Sequence, residues 1–223
     1  MSKLIALVGD PGSGKSTGIK NLDPKDTYII NVAGKELPFK GSEKLYNTDN
    51  KNYREVEDAK EILALLETLS TSDNAKHIKN VVIDDGNYIM GFNLVNKATE
   101  VGYTKFSVMA KDIVKLIQTS KKLRDDLTII YLTHSEAVED ASEIITYKMK
   151  TAGKMIDNQI NMDGLFTVVL YTDVDTKGSK TEFSFVTNRY KKYPAKSPVG
   201  MFEDIKIPND LSVVVKKVRE YYQ

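Results

Sequence analysis

Gly9-Asp10-Pro11-Gly12-Ser13-Gly14-Lys15-Ser16-Thr17 is the stretch whose reading decides the fold. It fits G-x-x-x-x-G-K-[ST], the Walker A phosphate loop. Leu4 to Val8 precedes it as a short apolar run suited to a buried parallel strand. Thr17 to Leu22 follows and can open a helix. Glycine permits positive φ and leaves room for phosphate oxygens, so the loop N–H groups can form an anion nest at a helix N-terminus. In that chemistry Lys15 reaches the β- and γ-phosphates, and the Ser16 hydroxyl ligates Mg²⁺. Asp10, Pro11, Gly12, Ser13, Gly14 and Thr17 complete the predicted nucleotide contacts. The bland alternative is a glycine turn; placement between a strand and a helix argues against it.

The chain around this loop has 223 residues, enough for one α/β domain with a large core, read as a single domain over 1–223. Its 28% charged content and formal net charge of +1 are ordinary, so a polyanionic partner needs a local basic patch. There is no cysteine, which excludes disulfides, thiolate zinc sites and cysteine nucleophiles and suits a reducing cytoplasm. Met1-Ser2-Lys3 leading directly into a strand does not read as a signal peptide, and no apolar run reaches membrane-spanning length. The expectation is a cytoplasmic protein with no membrane partner.

Downstream, Thr27 to Val32 reads as a second strand and Ala33 to Gly41 as a loop. Tyr53 to Leu69 has helical apolar spacing at Val56, Ala59, Ile62, Leu63, Leu66 and Leu69. Val81-Val82-Ile83-Asp84-Asp85 is an apolar strand ending in acid, the Walker B pattern, which makes Asp84 the second Mg²⁺ ligand. Read alone, it is equally a buried strand closed by an Asp-Asp-Gly turn. Residues 106–123 form an amphipathic helix. Leu127 to His134 is a further buried strand, and its end places His134 as a γ-phosphate sensor, against the alternative of a capping histidine. The 139–154 region reads as a hairpin or mobile loop.

Leu165 to Thr172 and Thr181 to Thr187 read as two more strands joined by the turn 173–179. Asn188 to Pro198 interleaves four cations with two tyrosines. Such a segment can track a nucleic-acid backbone, or offer Arg189 or Lys196 to a neighbouring subunit's γ-phosphate, or be an ordinary solvated loop. Asp210 to Tyr222 suits a closing amphipathic helix.

Together these residues resemble the RecA-like P-loop ATPases of phages, close to the single-strand annealing group called Sak-type, or AAA-domain phage nucleotide-binding proteins. The resemblance rests on residues 9–16, 81–84 and 132–134, on Lys-Thr-Ala-Gly-Lys at 150–154 and on Ala-Lys-Ser-Pro-Val-Gly-Met-Phe at 195–202. It implies a RecA-like α/β core, a mainly parallel sheet flanked by helices with hairpin additions toward the C-terminus. It also implies ATP and Mg²⁺ as cofactors, ATPase activity, and single-stranded DNA as partner during phage recombination or replication. A homo-oligomeric ring or filament follows from the same resemblance, with other phage replication or recombination proteins as further partners. By it, Lys15, Asp84 and His134 carry catalysis, and Lys148, Lys150 and Lys154 become DNA-binding residues. One departure stands out. The strand after the phosphate loop ends Ile30-Asn31-Val32-Ala33, without the catalytic glutamate that such ATPases place there. Glu36 and Asp85 are the alternative bases.

Two other functions fit parts of the pattern. A nucleotide kinase also uses such a loop, but clamps two phosphate groups with several arginines, and this chain has four, scattered. A DNA-annealing protein in which ATP only sets the assembly state fits the absent glutamate. The chain is short for a helicase or packaging motor.

Overall fold

The computed structural model describes residues 1–99, 102, 104–139, 143, 145–151 and 160–223. Its centre is a mixed sheet. The strands are β1 (Lys3–Gly9), β2 (Thr27–Asn31), β3 (Tyr53–Glu55), β4 (Asn80–Asp84), β5 (Thr128–Glu139), β6 (Ile145–Met149), β7 (Val168–Lys177), β8 (Lys180–Val186) and β9 (Lys206–Pro208). Their order is β3-β2-β4-β5-β1-β7-β8-β9, with β6 paired to β5 off this path. From β3 through β7 every neighbouring pair is parallel; β8 and β9 are antiparallel additions. This is the expected α/β architecture, a mainly parallel sheet flanked by helices with antiparallel strands toward the C-terminus.

The core divides by strand parity, since successive side chains face opposite sides of a sheet. Leu4, Ala6 and Val8 face helices α2 (Ala59–Thr71), α3 (Tyr88–Asn96) and α4 (Thr104–Ser120) through residues such as Ile62, Leu66, Met109 and Ile113. Ile5 and Leu7 face the other side, where Ile19, Phe185 and the closing helix α5 (Leu211–Tyr222) supply Leu211, Val214 and Val218. Both faces are covered, which is why these strands read as continuous apolar runs.

Several elements differ from expectation. The helix expected from Tyr53 begins at Ala59, capped by the Asp58 carboxylate, which accepts from the Lys60 and Glu61 N–H groups. Tyr53 to Glu55 is instead an edge strand, in parallel register with Ile29 to Asn31. The helix after the phosphate loop is a single 3₁₀ segment, Ser16–Asn21, and ends where Leu22 turns extended. Gly18 lies there against Phe185, whose ring would be 2.8 Å from an added Cβ. A four-residue helix, α1 (Ser42–Leu45), follows the predicted loop. β7 and β8 run further than expected, to Lys177 and Lys180, because Gly178 at φ +62° reverses the chain tightly. β5 continues five residues past His134, paired antiparallel with β6 from Ser135↔Met149 to Glu139↔Ile145. The basic 188–198 segment is held by two bridges, Tyr190↔Tyr193 and Val169↔Lys196.

The parallel strands end along one edge at Asn31, Asp84, His134 and Gly9, in that spatial order. Registers Asn31↔Asp84 and Gly9↔His134 put each end beside its neighbour.

Candidate functional site

The phosphate loop leaves β1 at Gly9 and is fixed from within. Ser13 N–H and Oγ both donate to the Asp10 carbonyl, at 3.2 and 2.6 Å. Gly12 and Gly14 take φ +74° and +89°, the left-handed region open to glycine. Gly14 is buttressed from behind. Asn209 donates its amide to the Gly14 carbonyl at 3.1 Å, and an added Cβ there would lie 2.7 Å from that amide nitrogen and 3.1 Å from the Phe183 ring. Two further contacts tie the loop to neighbouring strands. Thr172 Oγ1 donates to Ser13 Oγ at 2.7 Å, and Ser135 Oγ donates to the Asp10 carboxylate.

Lys15 is 6% exposed, and its ammonium donates to the Gly9 and Asp10 carbonyls at 2.9 Å each. Burial pushes its pKa down, opposed by the charges of Asp85, Asp84 and Asp10. Ser16 Oγ donates to Asp84 Oδ1 at 2.8 Å. A hydroxyl and a carboxylate so placed, beside a loop open at Gly12, fit a hard divalent cation with oxygen ligands next to a phosphate. Thr17 lies half-buried in the same 3₁₀ turn.

Asp84 and Asp85 are adjacent in sequence and opposite in chemistry. Burial, then the neighbouring Asp85 charge, raises Asp84 to about 6. Asp85 sits at φ +58°, a left-handed conformation that aspartate tolerates better than most residues. The turn aims its carboxylate at the nitrogens of Lys35 and His134. Lys35 Nζ lies 2.5 Å from Oδ2 and His134 Nε2 lies 3.5 Å from Oδ1. Burial raises Asp85, but the bonds from His134 and Lys35 and their charges outweigh it and hold the carboxyl below its ordinary range. Asn87 fixes the imidazole from its other side. Its Oδ1 accepts from the His134 N–H at 3.3 Å, and its Nδ2 lies 3.5 Å from Nδ1. Tyr88 meets the imidazole edge-on at 5.6 Å.

The strand ends therefore bring together Lys15, Ser16, Asp84, Asp85 and His134. Glu36 is not among them. It is exposed and lines a separate cavity with Leu37, Ser42, Tyr46 and Tyr53. Lys35, one residue earlier, takes the place beside Asp85. Lys148 is paired with Glu136 at 2.8 Å on the β5–β6 ribbon, and the exposed Lys150 donates its N–H to the His134 carbonyl at 2.8 Å. Lys154 lies outside the described residues. Lys196 is half-buried, its backbone bonded both ways to Val169, and Arg189 is exposed. A cavity of about 330 Å³ opens against Gly9 to Ser13, walled by Ser135, Tyr147, Thr172, Lys192 and Tyr193.

Sequence reasoning missed Lys35, Asn87, Ser135 and Thr172. Each acts across strands, and only Asn87 carried a local signal, as the residue after the Asp84-Asp85-Gly86 turn.

Among the described residues no helix is long and apolar enough to cross a membrane. No curated protein matches the chain in sequence. A KaiC-like protein from the hyperthermophilic archaeon Pyrococcus horikoshii OT3 is similar in structure, with a TM-score of 0.48 and 13% identity over 85% of this chain and 80% of that one. A family model described as "AAA domain", AAA_24, matches residues 2–199. The matched span takes in the loop, the acidic pair and His134, and the chain belongs to this family of AAA domains.

Proposed function

We propose that this chain binds ATP with Mg²⁺ in the cradle, hydrolyses it slowly, and uses the nucleotide state to govern a grip on single-stranded DNA. The observation that carries the coupling is the continuity of β5. One strand holds His134 at the phosphate end of the site and runs on, without a break, into the ribbon with β6 that bears Lys148 and Lys150. A shift of His134 against Asp85 is thereby transmitted to the ribbon through its own backbone and through the Lys150 N–H bonded to the His134 carbonyl.

The residues fall into roles. Lys15 and the loop amides bind and orient the phosphates. Ser16 and Asp84 would hold Mg²⁺, which supplies charge neutralisation at the phosphate oxygens. The Tyr190–Tyr193 turn packs on the same ribbon: Lys192 lies 4.9 Å over the Tyr147 ring, and the Tyr147 N–H donates to the Lys192 carbonyl at 2.9 Å. Cations and aromatic faces on one ribbon suit an unpaired strand, where phosphates and bases are met together. A homo-oligomer, with Arg189 or Lys196 acting across subunits, and a role beside other phage recombination proteins extend the same reading.

Asn31 in place of the expected glutamate favours a second reading, in which ATP sets the assembly state and turnover is slight. One experiment separates the two. ATP turnover is measured with and without single-stranded DNA, beside mass measurements of the assembly, for the parent, Lys15→Ala and Asp84→Ala. DNA-stimulated turnover abolished by both changes supports coupling. Nucleotide-dependent assembly without stimulated turnover supports the second reading. DNA binding and annealing indifferent to both substitutions refute the mechanism.

A further inference from the structure

The expected glutamate position does more than lack a carboxylate. Asn31 is 1% exposed and lies beside Asp84 in the register of β2 and β4. Its side chain spans the loop that follows. Nδ2 donates to the Lys35 carbonyl at 2.5 Å and to Tyr53 Oη at 2.9 Å, while Oδ1 accepts from the Gly34 N–H at 3.0 Å. Gly34, at φ +63°, allows the tight bend. An amide can donate and accept at once; a glutamate could not bridge the loop in this way. The result is a loop built to deliver Lys35 to the strand edge.

Lys35 arrives beside the acidic pair. Its ammonium is 2.5 Å from Asp85 Oδ2, whose other oxygen faces His134. Along the edge, the order β2-β4-β5-β1 sets Lys35, the Asp84–Asp85 pair, His134 and the phosphate loop in sequence. Lys35 and Lys15 thus bracket the carboxylates and the imidazole from opposite ends. The Lys35 side chain is 62% exposed, so its stem is free to turn, while Asp85 is 6% exposed and held by the sheet.

We propose that Lys35 is a second phosphate-binding cation of this site, contacting the terminal phosphate of a bound nucleoside triphosphate from within the same chain. The proposal rests on reading the cradle as a nucleoside triphosphate site. Lys15 would hold the phosphates from the end of the loop, and Lys35 would meet the terminal phosphate from the far side of Asp85. Asp85 positions Lys35 and shares it with the phosphate. A compact ammonium on a flexible stem suits that exchange better than a planar guanidinium. The site then carries its own cation for terminal-phosphate charge, whereas Lys196 is tied by its backbone to β7 and Arg189 lies outside the cluster.

The test is equilibrium binding of a non-hydrolysable ATP analogue and of ADP, both with Mg²⁺, to the full chain, Lys35→Ala and Lys35→Arg. Because Lys35 is exposed, both variants should fold as the parent does, checked by denaturation. Lys35→Ala should weaken the triphosphate roughly 10- to 100-fold, the span of one charge-assisted contact, and leave ADP within about twofold. Lys35→Arg should recover most of the triphosphate affinity. Equal losses for both nucleotides, or no loss for either, overturn the assignment while leaving the cradle reading intact. A parent chain that binds neither nucleotide overturns both.

Discussion

Gly86→Ala tests how rigidly the site is mounted. Gly86 follows the acidic pair, and its N–H donates to the Leu132 carbonyl at 2.8 Å, closing the turn that aims Asp85. A Cβ at this position would lie 2.4, 2.5 and 2.9 Å from three atoms of the Tyr131 ring. Carbon contacts are favourable near 3.5–4 Å, so the overlap is about 1 Å on three atoms. The ring has little room to retreat. Tyr131 is 2% exposed, leans on Phe166 at 5.9 Å, and donates its hydroxyl to the Gly86 carbonyl at 2.6 Å. Relief requires a displaced turn or a displaced ring. Overpacking costs about 1–3 kcal/mol, and losing the hydroxyl's bond to a buried carbonyl adds about 1–3 kcal/mol. The expected destabilisation is about 2–6 kcal/mol, a large share of a typical domain's stability. Chemical denaturation measures it, and a double-mutant cycle with Tyr131→Leu assigns it. Removing the ring should reduce the cost of Gly86→Ala to below about 1 kcal/mol. An equal cost in both backgrounds, or a small cost in the parent, refutes the packing argument.

Asp84→Asn keeps an acceptor for Ser16 and removes a carboxyl raised by burial to about 6. Between about pH 4 and 6 the folded chain binds a proton that the unfolded chain has released, so stability falls as pH rises through that window, and the full cost above it is about 3 kcal/mol. In metal-free buffer the variant should therefore be more stable than the parent at about pH 8, with the gain shrinking toward about pH 4, while Mg²⁺-dependent nucleotide binding is lost; denaturation at both pH values checks this, and a gain independent of pH would contradict it. Asp58→Ala removes the two cap bonds of α2 and should cost about 1 kcal/mol in denaturation with no change in nucleotide affinity, because that cap follows β3, the outer edge strand on the far side of the sheet from the phosphate loop.

The parts legible in the sequence were those written locally. The apolar runs of β1, β2, β4 and β5 and the glycine loop needed no partner to be read, and neither did the acids at the end of β4. β3 was hidden because Val56 and Ala59 extend the spacing of α2 backwards, and Asp58 cuts that pattern as a cap. The run of β5 past His134 was hidden because Ser135 to Glu139 is no longer apolar; pairing with β6, not burial on both faces, makes it a strand. Lys35 was beyond local reading altogether. A lone lysine in a glycine-proline loop acquires a role only when β2 lies next to β4, and adjacency within a parallel sheet is set by crossovers, not by neighbouring residues.

The two aspartates show why binding and hydrolysis separate in this site. Pairs of carboxylates pushed in opposite directions take different roles. Asp85 is held ionised with its oxygens committed to Lys35 and His134, which makes it an anchor for both and a weak proton acceptor. Asp84, raised to about 6, is the better base, but its Oδ1 is engaged by Ser16 on the side where a cation would sit. Glu36 faces another cavity, and Asn31 has exchanged basicity for the construction of a loop. On the function proposed above, Lys15, Ser16, Asp84, Asp85 and Lys35 each serve to hold a phosphate, a cation or another side chain. On that same proposal, such an arrangement would discriminate a triphosphate from a diphosphate well and activate water poorly, the balance that the proposed use of the nucleotide as a state marker for the ribbon beyond His134 requires.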